Sequence, residues 1–242
     1  MSPSPTSTPP TGPPHLALGP HVGIREITHA DGTEFIAAAR ASTAHHRPWL
    51  FPPLTPSTYA TYAQRLIDDP GRMGFLVYER LGGGGHGGDP SRTGPAHAHH
   101  GGDPTRTPPE PARHGGDPSR TPPDPVPDRL AGFININNIV HGSFRCGALG
   151  YGAFGHAVGR GLLSEALDLV VRHAFGPLGL HRLEANIQPA NHASLALVRR
   201  AGFRLEGLSP AFLHVDGAWR DHERWALTSE MVEGPSFASS ED

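Results

Sequence analysis

The chain has 242 residues, of which 36% are hydrophobic and 18% charged, with a formal net charge of −3. That balance leaves no basic footprint for direct nucleic-acid binding, and no apolar run approaches the ~20 residues of a membrane span. A single cysteine, Cys146, excludes an internal disulfide and fits a reducing cytoplasm.

The 31 glycines and 27 prolines are an excess that should be localised. Residues 1–19, rich in Pro, Ser and Thr, read as a disordered tail. Their opening MSPSPTSTPPTGPP has neither the charged start nor the apolar stretch of a signal peptide. His21–Thr28, with Val22, Ile24 and Ile27, predicts a first strand, and Asp31–Ala44 a helix. The loop His45–Pro53 follows, irregular because of its prolines. Its paired histidines, His45 and His46, read as solvated, with a metal-ligand or substrate-wall role as the alternatives. Thr55-Pro56-Ser57 marks a helix start, Tyr59–Ile67 the helix and Gly74–Arg80 a second strand.

Residues 82–127 change character. A 14-residue unit recurs three times, beginning at His86, His100 and His114, each copy opening HGGDP. Each copy has almost no apolar side chain to bury, which argues against a solenoid and for a flexible, disordered insert bulging from a hairpin tip. Specific metal binding by these histidines is the less favoured reading. Without the insert and the tails (1–19 and 231–242), ~165 residues remain, one domain spanning 20–230.

Arg129–Val140 predicts a third strand and Ser143–Phe154 a fourth, joined by a turn at His141-Gly142. The stretch around which the chain is organised comes next. Gly155–Gly161 is a glycine turn, and Leu162–Phe175 is an amphipathic helix with Leu163, Leu167, Val170 and Ala174 on one face. A strand, a glycine turn and a helix in succession form a device for holding phosphate. The first-turn amides lack intrahelical partners, and the helix dipole adds positive potential. Gly159 and Gly161 would let phosphate oxygens reach the amides of Val158 through Leu162, and Arg160 would add charge. No Walker loop is present, because no stretch supplies G-x-x-x-x-G-K-[ST]. Gly150-x-Gly152-x-x-Gly155 matches a dinucleotide fingerprint by letters, but a second glycine turn intervenes before the helix. His156–Gly161 fits the pyrophosphate turn of acyl-CoA-dependent acetyltransferases, [RQ]-x-x-G-x-[GA], except that His156 replaces Arg or Gln.

His181–Ile187 predicts a fifth strand in which Leu183, Ala185 and Ile187 alternate with Arg182, Glu184 and Asn186. A helix over His192–Ala201 has Asn191 as N-cap and Gly202 as C′ glycine. Phe203–Leu208 reads as a sixth strand. Phe212–Val215 and Trp225–Thr228 flank Asp216-Gly217, a hairpin signal. The order implies a mixed α/β fold around one sheet.

From about residue 129 the chain resembles the GCN5-related N-acetyltransferase (GNAT) superfamily, and within it the RimJ/RimL type that acetylates protein N-termini. The residues that carry the likeness include Asn137-Asn138-Ile139-Val140, Leu149-Gly150-Tyr151, Gly159-Arg160-Gly161, Ser164-Glu165-Ala166 and His181–Asn186. They continue with Gln188-Pro189-x-Asn191-x-x-Ser194, Ala201-Gly202-Phe203, Glu206-Gly207 and Gly217-x-Trp219-Arg220-Asp221-His222. The resemblance implies a central, mostly antiparallel sheet splayed between its fourth and fifth strands, with acetyl-CoA as cosubstrate and no metal. It places the acyl group and pantetheine arm along Leu149, Gly150 and Tyr151, and the pyrophosphate at Val158–Leu162. Asn191 would bond the pantetheine, Ser194 would protonate the departing thiolate, and Glu184 would serve as general base. Cys146 is not required and reads as a packed or semi-exposed strand residue. Arg220 and Asp221 would pair and fix the end of the hairpin, with lining the acceptor mouth as the alternative. The implied acceptor is a protein N-terminal α-amine, such as that of a ribosomal protein. A small amine or antibiotic is the alternative, and a non-catalytic acyl-CoA-binding module the third reading. The oligomeric state stays open, a homodimer included.

Overall fold

The computed structural model describes residues 14–81 and 128–233. The repeat insert, residues 1–13 and residues 234–242 lie outside the described residues. In chain order the elements are β1 (Ala17–Leu18), β2 (Val22–Glu26), α1 (Gly32–Ala41), α2 (Thr43–His46), α3 (Pro56–Asp68) and β3 (Met73–Glu79). After the insert come β4 (Arg129–Val140), β5 (Cys146–Ala153), α4 (Leu162–Phe175), β6 (Arg182–Ile187) and α5 (His192–Arg200). The chain then forms β7 (Arg204–Val215), β8 (Ala218–Thr228) and α6 (Ser229–Glu233).

The strands form one eight-stranded sheet in the order β1-β2-β3-β4-β5-β6-β8-β7. Every neighbouring pair is antiparallel except β5 and β6, which run parallel because α4 forms the crossover between them. Alternation along the strands sends side chains to two helical layers. Phe75 and Val77 join the core under α4 and α5, with Leu167, Val170 and Val198. Leu76 and Tyr78 point the other way, to Phe35 of α1 and Tyr59 and Ala63 of α3. On β6 the expected alternation holds, with Leu183, Ala185 and Ile187 buried on the α4 and α5 side. Arg182, Glu184 and Asn186 therefore face the α1 and α3 side.

The caps read from sequence are in place. Asn191 accepts from the Ser194 amide at 3.2 Å, and Gly202 holds φ +84° just past α5. Asp216 and Gly217 have φ of +51° and +76°, the two positive values a two-residue hairpin turn requires. Thr55 caps α3 by accepting from the Thr58 amide.

Four expectations need correction. The tail read as 1–19 ends in structure: Ala17–Leu18 pair with β2, and Leu16 and Gly19 donate backbone bonds to Ile24 and Val22. The helix expected over Asp31–Ala44 stops at Ala41, and α2 then runs into His45–His46. The segments Phe203–Leu208 and Phe212–Val215 belong to one strand, β7, with a register shift between Ser209 and Leu213. Pro210 has no amide to give the ladder and Ala211 takes φ +46°, so the strand bulges there without ending. Its partner β8 begins at Ala218, seven residues before the expected Trp225.

A buried ion pair braces the start of the domain. Arg25 donates to both carboxylate oxygens of Asp31, at 3.0 and 2.5 Å, and to the Tyr78 hydroxyl at 2.6 Å.

Candidate active site

The sheet comes apart at its one parallel pair. β5 and β6 are in register for four positions only, from Cys146↔Arg182 to Leu149↔Ala185. Beyond them β5 stays with β4 through Gly150–Ala153, and β6 stays with β8 through Asn186–Ile187. The edge of β5 that faces β6 is therefore left without strand partners. A cavity of about 920 Å³ fills the opening, at the upper end of small-molecule pockets (~300–1,000 Å³). Gly159, Gly161, Leu163 and Ser164 line it from the α4 side. His46, Trp49 and Leu50 line it from the opposite side, so it passes through the sheet.

At the α4 end the turn is shaped for an anion. Gly159 and Gly161 hold φ of +74° and +77°, and a Cβ at either would meet nothing within 4 Å. Gly161 caps α4 in the left-handed region with no side chain bonded to the helix amides. No amide from Val158 to Leu163 donates to a backbone carbonyl among the described residues. A row of unused N–H groups at a helix N-terminus, with open space over the glycines, fits a pyrophosphate. Leu162 contributes its amide, while its side chain is buried in the core. Arg160 does not add free charge there: its guanidinium makes a fork to the Glu79 carboxylate, which holds Glu79 below the usual carboxylate range. Arg200, which sequence reading did not single out, is the one Arg or Lys among the described lining residues. His156 is absent from the lining, and burial keeps its ring below the ordinary histidine pKa.

In the middle of the opening stand Leu149, Gly150, Tyr151, Asn191 and Ser194. Burial pushes the Tyr151 hydroxyl up to about 12, and it is enclosed without a hydrogen-bond partner. Ser194 stands near enough to oppose that shift, although the two hydroxyls do not meet hydrogen-bond geometry. Cys146, buried on β5, does not line the cavity.

Glu184 is placed elsewhere. Its Oε1 accepts from Arg182 Nε at 2.9 Å and lies 3.9 Å from Arg224, and Arg182 also forks onto Glu206. Glu184 is not among the cavity-lining residues. The carboxylate expected as a base is engaged in an ion cluster on β6, β7 and β8.

The acceptor side holds residues that local pattern did not assign. His46 is buried, not solvated; its Nε2 donates to the Ala153 carbonyl at 2.9 Å and its Nδ1 is enclosed without a partner. Burial lowers its pKa, so the ring is neutral near pH 7. Asn186 lines the cavity with an enclosed, unpartnered Oδ1. His222 is 3% exposed and also lines it, together with Leu213 and Val215 of the hairpin. The hairpin tip approaches the α2 loop, with Asp216 3.8 Å from Arg47. Asp221 fixes the β7 bulge by accepting from the Ala211 amide at 2.8 Å, in place of the expected pairing with Arg220. Among the described residues no cluster of His, Cys, Asp or Glu could hold a metal ion, and none of those lining the cavity is Asp or Glu.

Residues 124–204 match the family described as Acetyltransferase (GNAT) domain. The chain is 36% identical over 100 residues to the Probable N-acetyltransferase YjcK of Bacillus subtilis (strain 168), covering 41% of this chain and 55% of that protein. It is 40% identical over 100 residues to the [Ribosomal protein uS5]-alanine N-acetyltransferase of Escherichia coli (strain K12), covering 41% and 52%. The chain thus spans about half the length of the curated relatives it matches. Among solved structures, Mycobacterium smegmatis RimJ in complex with CoA-disulfide shares the fold with a TM-score of 0.64 at 23% identity, over 88% of this chain and 84% of that one.

Proposed function

Starting from the GNAT acetyltransferase domain that this chain carries, we propose that it transfers acetyl from acetyl-CoA to the N-terminal α-amine of a protein. The observation that carries this reading is the cavity through the splayed sheet, with unused amides at one mouth and neither Asp nor Glu among the described lining residues. The amides of Val158–Leu162 would hold the pyrophosphate, and the free edge of Gly150–Ala153 would pair with the pantetheine arm and polarise the thioester carbonyl. Asn191 would bond the arm while capping α5. Ser194, beside Tyr151, would return a proton to sulfur. No covalent enzyme intermediate is needed, since the amine attacks the thioester directly.

The acceptor mouth lies between the α2 loop and the β7–β8 hairpin. A polyamine brings several ammonium groups and calls for carboxylates, which are missing from the described lining residues. A single α-amine on an otherwise uncharged peptide end suits the neutral wall of His46, Trp49, Leu50, Leu213 and Val215 better. By likeness to the uS5-alanine relative, a ribosomal-protein N-terminus beginning with alanine is the first acceptor to try.

The test is thiol release from acetyl-CoA with peptides starting in Ala or Ser, set against a panel of small amines, with mass spectrometry of the product. Turnover on peptides that vanishes when the α-amine is blocked supports the reading. Turnover confined to small amines transfers the protein to the alternative class. Binding of acetyl-CoA without turnover on any amine makes it a non-catalytic acyl-CoA module.

A further inference from the structure

We propose that His222 is the group that takes the proton from the acceptor's ammonium. The proposal rests on the acetyltransferase reading above.

The protonation pattern of His222 follows from one contact. Its Nδ1 lies 2.9 Å from the carbonyl oxygen of Arg220. A carbonyl only accepts, so Nδ1 carries the hydrogen, and in the neutral ring the lone pair is on Nε2. Nε2 has no hydrogen-bond partner among the described residues, yet it is not sealed off as His46 Nδ1 is. His222 is 3% exposed overall and borders the cavity, and we infer that its open nitrogen faces the interior of the site. It packs against Phe212 at 6.0 Å between centroids, on the bulge that Asp221 fixes.

Three competing groups are otherwise occupied, while His45, the other histidine that lines the cavity, is exposed on α2. Glu184 is held by Arg182 and is not among the lining residues. His46 has its Nε2 on Ala153 and its Nδ1 enclosed. Tyr151 is held neutral by burial.

The step balances as follows. The ammonium gives one proton to His222 Nε2, forming an imidazolium and a neutral amine. The amine lone pair forms the N–C bond at the thioester carbonyl carbon. The C–S bond breaks with its electron pair going to sulfur, the nitrogen loses its second proton, and the sulfur gains one. The products are the amide, the free thiol and one proton, which the imidazolium returns to solvent.

The experiment uses the full chain, acetyl-CoA and an Ala-starting peptide. His222→Ala and the shape-conserving His222→Gln are expected to lower kcat about 100-fold, with the KM for acetyl-CoA within about threefold of the parent. Added imidazole should restore His222→Ala at least tenfold, which repair of a merely structural defect would not do. Acceptor amines already neutral at the assay pH should shrink the deficit. If both variants turn over within threefold of the parent, or neither imidazole nor weakly basic acceptors narrows the loss, the assignment is overturned. A parent protein inactive on every amine overturns the acetyltransferase reading and the assignment with it, a result distinct from an active parent with active variants.

Discussion

Replacing Glu184 by Gln distinguishes an ion-pair role from a catalytic one. The carboxylate accepts from Arg182 Nε at 2.9 Å and lies 3.9 Å from Arg224, with Glu184 and Arg182 side chains 24% and 23% exposed. Two unit charges about 4 Å apart interact by ~4 kcal/mol at an effective dielectric of ~20, before desolvation is subtracted. Measured pairs this accessible to water keep only about 0.2–1 kcal/mol of that. Arg182 also retains its fork to Glu206, and Gln still offers an acceptor oxygen. The expected loss is therefore about 0.5–1 kcal/mol, a fall of roughly 1–4 °C in Tm for a chain of this size. Turnover should stay within about threefold of the parent. Thermal melting and thiol-release kinetics on the same preparation measure both quantities. A general base contributes about 10²–10⁴ in rate. A 100-fold loss of kcat with little change in Tm would show that Glu184 reaches the amine and would refute the placement argued above.

Gly159→Ala and Gly161→Ala meet no steric neighbour but force a side chain into positive φ. Each should cost about 1–2 kcal/mol and weaken acetyl-CoA binding by an order of magnitude, as read by calorimetric titration. Ser194→Ala should lower kcat at least tenfold at unchanged Tm, whereas Tyr151→Phe removes an enclosed, unpartnered hydroxyl and should leave Tm unchanged or raised. Asp31→Asn leaves Arg25 buried without its counter-charge and should cost about 3–5 kcal/mol in denaturant unfolding. Burial alone would raise the Asp31 pKa, but the Arg25 guanidinium and the Thr28 donors hold it below the ordinary 3.8. Its folded pKa is thus lower than its unfolded one. The stabilisation is complete above the unfolded value and is lost as pH falls through the folded one, so the acid limb of the stability profile should flatten in the Asn variant.

Much of the fold was legible because local rules and the tertiary structure agree. The α4 periodicity gave its two ends, and the alternation on β6 gave its two faces. Asn191, Gly202 and Asp216-Gly217 have the conformations their residue types favour. The glycine turn was legible for the same reason, since Gly159 and Gly161 sit at φ values other residues resist. Legibility failed where no core writes a pattern. β7 is exposed along nearly all its length, so no hydrophobic period marks it as one strand. β1 spans only two residues, held by backbone bonds that leave no side-chain signature.

The acceptor side was illegible for a different reason. His46, Asn186 and His222 come from three elements far apart in sequence, and only the sheet order β5-β6-β8 brings them to one cavity. No window of sequence contains that neighbourhood. What marks them is energetic. Of the six enclosed side-chain atoms left without partners among the described residues, three belong to lining residues: His46 Nδ1, Tyr151 Oη and Asn186 Oδ1. Each such atom costs about 1–3 kcal/mol in a folded protein. A site selected only to hold an acyl chain would do better with aliphatic side chains there. Polar groups kept unsatisfied around a gap in the sheet are a stability cost of the kind that marks a functional site.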